Sequence, residues 1–168
     1  MKLIIKNKLV TVGGSSFVKD ENDNDKFVVK GKIFSITHKK KIYDMNGNLQ
    51  YLVRNKYWHF INNSVFVLDG ENNKIAMLSN NKFDFKHKFV LNGYKDEITI
   101  SGNLFQFPNI KMEITKNGQK IGTLTKDFNL LRDCYTLDVD NEEDASFLVA
   151  LAIGVDNIFD KAKDDSRR

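Results

Sequence analysis

From Phe147 to Val155 the chain reads FLVALAIGV, nine consecutive residues without a polar side chain. The segment is preceded by the acidic stretch Asp140–Asp144 and followed by Lys161 and Lys163. Asp140 or Asn141 is placed to cap a helix start, and the acids suit the positive end of a helix dipole. Successive helical positions step about 100° around the axis, so nine apolar residues in a row face every direction. Such a helix has no wet side and has to be surrounded. At about half of the roughly 20 residues that a membrane span needs, the run is too short to be surrounded by lipid.

The rest of the chain must therefore supply the wrapping. From Lys2 to about Val139 it consists of short runs rich in Val, Ile, Phe, Tyr and Thr, separated by Asn, Asp and Gly. That is the pattern of strands and turns. One unit recurs: KIYDMNGNLQYLV, VFVLDGENNKIAML and MEITKNGQKIGTL each place a turn between two β runs. Gly47, Gly70 and Gly118 are the expected positive-φ residues of these hairpins. SFVKDENDNDKFVV reads as a looser copy with a longer loop, and Pro108 as a turn or strand edge. A helix over 142–157 would be roughly 24 Å long, and a strand of six or seven residues spans roughly 20–23 Å. A closed sheet around the helix hides it completely and leaves no exposed sheet edge. Ala145, Ala150, Ala152 and Gly154 would let strands come close. A two-sheet sandwich would leave the helix a wet stripe, and the sequence has none.

The order of VKDENDNDKFVVKGKIF, KKKIYDMNGNLQYLV, KDEITISGNLF and MEITKNGQKIGTLTKDFNLLRDCYTLDV, ending in an acidic step into an apolar helix, resembles the LURP-one-related family. That family belongs with the Tubby C-terminal and phospholipid scramblase domains. The resemblance covers nearly the whole chain and implies a mainly β fold, a closed antiparallel barrel of about twelve strands with the C-terminal helix threaded through it. It implies one domain over residues 1–168. Relatives in the wider group bind phosphoinositide head groups or associate with membranes, but no head-group motif matches here residue by residue.

The residues offer little catalytic chemistry. There is no P-loop, no G-x-G-x-x-G and no G-x-S-x-G elbow. Cys134 is the single cysteine, so no disulfide framework exists, and as a nucleophile it would need an activating partner. Arg132 and Asp133 just before it read as structural. His38, His59 and His87 lack metal-ligand spacing. The acidic stretch Asp20–Asp25 fails as an EF-hand loop, with Asp25 where Gly belongs and Gly31 where Glu belongs, though a loose calcium contact stays open. No metal or cofactor is expected. Tyr57, Trp58, His59 and Phe60 beside Arg54 and Lys56 permit base stacking, but without an RNA-binding signature nucleic acid is the weaker reading.

Net charge is +4, mild enough to permit contact with an anionic surface without demanding it. The densest positive stretch is Thr37–Lys41 with Lys30 and Lys32 nearby; Lys86–Lys88 is a second. The candidate contact residues for anionic lipid head groups are Lys30, Lys32, His38, Lys39, Lys40 and Lys41. Against that stands a solubilising loop that also discourages edge pairing. The expected function is a non-enzymatic binding or scaffold domain touching anionic membrane lipid through this patch. The alternative is a protein–protein interaction module without a lipid role, and an enzyme with an unrecognised site is least favoured. With no targeting segment visible, the expected location is the cytoplasm, peripheral at the membrane.

Overall fold

A computed structural model describes residues 1–6, 14–31, 38–56, 64–80, 87–102, 109–127 and 134–165. Twelve strands run along the chain: β1 (Lys2–Lys6), β2 (Ser15–Asp20), β3 (Asp25–Gly31), β4 (Lys40–Asp44), β5 (Leu49–Asn55), β6 (Ser64–Asp69), β7 (Lys74–Asn80), β8 (His87–Asn92), β9 (Ile98–Gly102), β10 (Asn109–Lys116), β11 (Gln119–Asp127) and β12 (Cys134–Val139). Each pairs antiparallel with its sequence neighbour, and β1 pairs with β12, so the sheet closes on itself. Lys32, Tyr57–Phe60, Lys86, Pro108, Arg132 and Asp133 lie outside the described residues.

After β12 a short 3-10 turn (Glu142–Asp144) leads into α1 (Ala145–Asp165). Asn141 accepts a hydrogen bond from the Glu143 amide at 3.2 Å and caps the start. The helix is longer than the sequence indicated at its C-terminal end. Every residue from Phe147 to Ile158 is buried, and Leu148, Val149, Ala150, Leu151 and Val155 are fully inaccessible. They pack against the inward faces of the strands, among them Leu3, Val18, Val29, Ile42, Val53, Val65, Leu78, Phe89, Ile100, Met112, Leu124 and Leu137. The helix is a plug inside the sheet, as its composition requires. Gly154 marks the closest approach: a Cβ there would stand 3.0 Å from Leu78 Cδ2 and 3.1 Å from Val65 Cγ2. At the other end Phe147 stacks on Tyr94, with ring centroids 4.8 Å apart.

The two ends of the barrel differ. One carries short turns of two to five residues; the other carries connections of six to eight. Three short turns are the same device. Asp20, Asp44 and Asp69 each accept hydrogen bonds from the amides two and four residues on, at 2.8–3.0 Å. Asn24, Asn48 and Asn73 return a side-chain amide to the same carboxylates. The Asp20 hairpin is thus no longer or looser than the others. The residue before each Asn takes positive φ: Asp23, Gly47 and Asn72. Gly70 is not one of them; its place is fixed by proximity, since a Cβ there would collide with the Leu49 carbonyl oxygen. Asn117 and Gly118 both have positive φ, the mark of a two-residue type I′ turn.

Two predictions follow from this architecture. Val149→Asp or Leu151→Asp buries a charge with no partner, at a cost of several kcal/mol; both variants are expected to lose the cooperative thermal transition seen by circular dichroism. Hydrogen bonds, foremost from the Asn48 and Asn24 side chains, hold the Asp44 and Asp20 carboxyls below the usual carboxylate range. A depressed folded pKa stabilises above the unfolded value of about 4 and ceases to do so as pH falls through the folded one. The urea midpoint should therefore fall progressively below about pH 4. Asp44→Ala should have a lower midpoint at neutral pH and a shallower acid slope.

Candidate functional site

Strand alternation divides the basic stretch that looks continuous in sequence. On β4, Ile42 faces the core, so Lys40 faces inward and Lys41 outward. Lys40 Nζ reaches Asp156 Oδ2 on the helix at 3.3 Å; the two side chains are 17% and 6% exposed. This lysine is committed to an internal ion pair. His38 and Lys39 stand exposed at the long-connection end, where the His38 backbone, at φ 45°, presents its carbonyl to Asn157 Nδ2 at 3.1 Å.

Lys30 and Lys41 lie directly opposite each other on the outer faces of β3 and β4. Like charges so placed repel. Lys30 Nζ instead sits 5.0 Å above the Tyr43 ring. The outer wall continues in residues outside the basic stretch, among them Arg54, which the sequence placed only beside Tyr57–Phe60. Lys41 pairs with Leu52 on β5, Leu52 with Leu68 on β6, and Arg54 with Phe66. Arg54 Cζ and Lys74 Nζ lie 5.6 and 5.2 Å from the Phe66 ring centre. Phe17 is 45% and Met45 51% exposed, one on the outer face of β2 and the other on the β4–β5 turn beside Tyr43. Among the described residues, no carboxylate pairs with Lys30, Lys39, Lys41, Arg54 or Lys74. The wall therefore combines aromatic rings, exposed apolar tips and uncancelled cations. The signal in the sequence is that LQYLVRN and SVFVLD carry apolar residues on both faces of their strands, although only one face meets the helix.

Other candidates resolve differently. The Asp20 carboxylate is taken up by Asn22, Asn24 and Lys26, and Lys19 bridges Asp23 and Asp25. The carboxylates of the acidic turn thus lean on its own asparagines and lysines; Asp25 Oδ1 has only the Lys19 ammonium, at 3.4 Å. Among the described residues no three His, Cys, Asp or Glu side chains are grouped to hold a metal. Burial pushes the Cys134 thiol up, against a smaller lowering from Lys6, which keeps it protonated and unactivated at neutral pH. Among the described residues no helix is long and apolar enough to cross a membrane.

A twelve-stranded antiparallel barrel closed around an apolar C-terminal helix is the Tubby C-terminal-like architecture. Residues 1–156 match the LURP-one-related family model, and the chain belongs to that family. No curated protein and no solved structure gives a significant match.

The Lys40–Asp156 pair sets a test of the inner wall. Lys40→Ala leaves a buried carboxylate without its counter-charge and should cost roughly 3–5 kcal/mol of stability in urea unfolding. Lys40→Met combined with Asp156→Leu should recover most of that loss, because no lone charge remains.

Proposed function

We propose that this chain is a non-enzymatic binding domain that docks on anionic membrane lipid through the outer wall of β2–β7. The observation that carries the reading is the set of cations poised over aromatic rings, with no carboxylate paired to them among the described residues. Among the described residues Lys30, Lys41, Arg54 and Lys74 have no ion-pair partner, and the rim residues His38 and Lys39 add to their charge. Near an anionic leaflet each such cation contributes about 1 kcal/mol. Phe17, Tyr43 and Met45 supply the apolar and amphipathic tips that settle at a lipid–water boundary. Lys32 belongs to the same stretch of sequence and is included in the proposal. Lys40 contributes from inside, by fixing the helix on which β4 rests. The unactivated Cys134 thiol and the family relationship support a role in binding, not in catalysis.

The test is sedimentation with vesicles of neutral phosphatidylcholine, with and without phosphatidylserine. The wild type should pellet only with the anionic vesicles, and less so as salt is raised. Lys30→Glu, Lys41→Glu and Arg54→Glu together should weaken partition at least about a hundredfold, from about 1 kcal/mol per cation. Lys111→Glu with Lys120→Glu, on the β10–β11 side, should leave partition near that of the wild type. Pelleting that ignores lipid charge, or a triple variant that pellets like wild type, would transfer the wall to protein partners.

A further inference from the structure

We propose that Leu52 and Leu68 form a latent apolar contact for the lipid–water boundary. In the free protein the cations around them act as a roof, which opens when those cations turn to lipid phosphates. The inference rests on the anionic-lipid reading above and adds to it the side chains that enter the boundary.

Register places both leucines on the outside of the barrel. Tyr51, Val53, Val65 and Val67 face the helix, so Leu52 and Leu68 between and beyond them face away from it. The two leucines oppose each other across β5 and β6, and neither belongs to the apolar cluster around the helix. Yet Leu52 is only 1% and Leu68 7% exposed. The helix lies inside, so among the described residues the cover comes from neighbours on the same outer face.

Those neighbours are the cations of the wall. Lys41 stands beside Leu52 and Lys74 beside Leu68, and Arg54 with Phe66 forms the next outward pair along the same two strands. Lysine and arginine lay their methylene stems over apolar surface and keep their charged ends in water. The far wall is built differently. On β9–β12 the outward positions Thr99, Ser101, Lys111, Glu113, Thr125 and Thr136 are all polar.

The roof is held lightly. Arg54 Cζ and Lys74 Nζ lie 5.6 and 5.2 Å from the Phe66 ring centre, toward the limit of about 6 Å for such contacts. Among the described residues no carboxylate pairs with Lys41, Arg54 or Lys74. A charge-assisted hydrogen bond to a phosphate oxygen is the stronger partner. A cation that takes one carries its stem with it and bares the leucine beneath. An anionic bilayer presents phosphates at the height of the charged ends and apolar depth below them, which a soluble anion does not.

The test uses deuterated protein with protonated leucine methyls, mixed with nanodiscs of phosphatidylcholine and phosphatidylserine. The acyl-chain protons are saturated and the loss of leucine methyl NMR signal is read, an effect confined to groups in contact with the chains. The Leu52 and Leu68 methyls should lose intensity, while those of Leu124 and Leu137, inside the barrel, should keep it. With discs of phosphatidylcholine alone none should change. Leu52→Ala with Leu68→Ala should weaken partition to phosphatidylserine vesicles about tenfold. Leu68→Ala alone serves if the pair does not fold. Unaltered Leu52 and Leu68 signals in disc-bound protein, or wild-type partition of a folded variant, would overturn the inference and leave the charged wall standing. A wild type that binds no anionic bilayer would remove both this contact and the reading beneath it.

Discussion

The requirement that α1 be covered on every side governs this molecule. A helix with one apolar stripe is satisfied by a single layer of sheet, whereas one buried from Phe147 to Ile158 around its whole circumference needs a sheet that closes. Closure then dictates the strands. Each gives alternate residues to the interior, and the inward set, Leu3, Val18, Val29, Ile42, Val53, Val65 and so on around the ring, is apolar without exception at mid-height. The room inside is limited, which is why the helix carries alanine and glycine where it presses closest. The dependence is mutual, since without the helix the same inward residues would line an empty cylinder. Plug and sleeve are one hydrophobic core that neither sequence half can form alone.

The barrel's ends divide the remaining tasks. At the short-turn end, Asp20, Asp44 and Asp69 each tie down two backbone amides and an asparagine side chain. Asn117 links a fourth hairpin to Asp96 at 3.0 Å. These local bonds fix register, and register decides which face of each strand meets the helix. At the other end the connections lengthen, and the helix changes from apolar to polar at Asp156 and Asn157. The buried charges follow that change: Lys40 pairs with Asp156, and Lys126, fully buried, bonds to Tyr135 Oη at 2.8 Å and lies over the Phe159 ring. Among the described residues, turn hydrogen bonds gather at one mouth and buried polar pairs at the other.

Patterns of long range survived in the sequence, and patterns of position did not. The nine-residue apolar run and the hairpin rhythm were enough to give a closed barrel with a central helix. In the sequence the lysines of Thr37–Lys41 look like one patch, because a run of identical side chains carries no mark of its facing. Only the pairing of Val29 with Ile42 shows that Lys40 turns inward and Lys41 outward. Gly70 looked like a turn glycine because it follows Asp69, yet the positive φ falls on Asn72, and the glycine is required by the nearby Leu49 carbonyl. Phe66 and Lys74 do not stand out in the sequence, and Arg54 does so only beside Tyr57–Phe60, for a related reason. Their grouping is made by cross-strand register over β5, β6 and β7, which no local stretch encodes.

Lys40 and Lys30 show how one residue type is put to two uses within a few ångströms of sheet. Inside the sleeve an ammonium loses its water, so it is held by a carboxylate, and its charge is cancelled there. On the outer wall a carboxylate would be the simplest partner for Lys30, Lys41 or Arg54, but it would also remove the positive field. A tyrosine or phenylalanine ring steadies Lys30, Arg54 and Lys74 through its electron-rich face and carries no net charge. The rings hold the cations without neutralising them, as the proposed contact with an anionic surface requires. Among the described residues the cation–ring contacts on the outer surface, Lys30 over Tyr43 and Arg54 and Lys74 over Phe66, all fall on this wall.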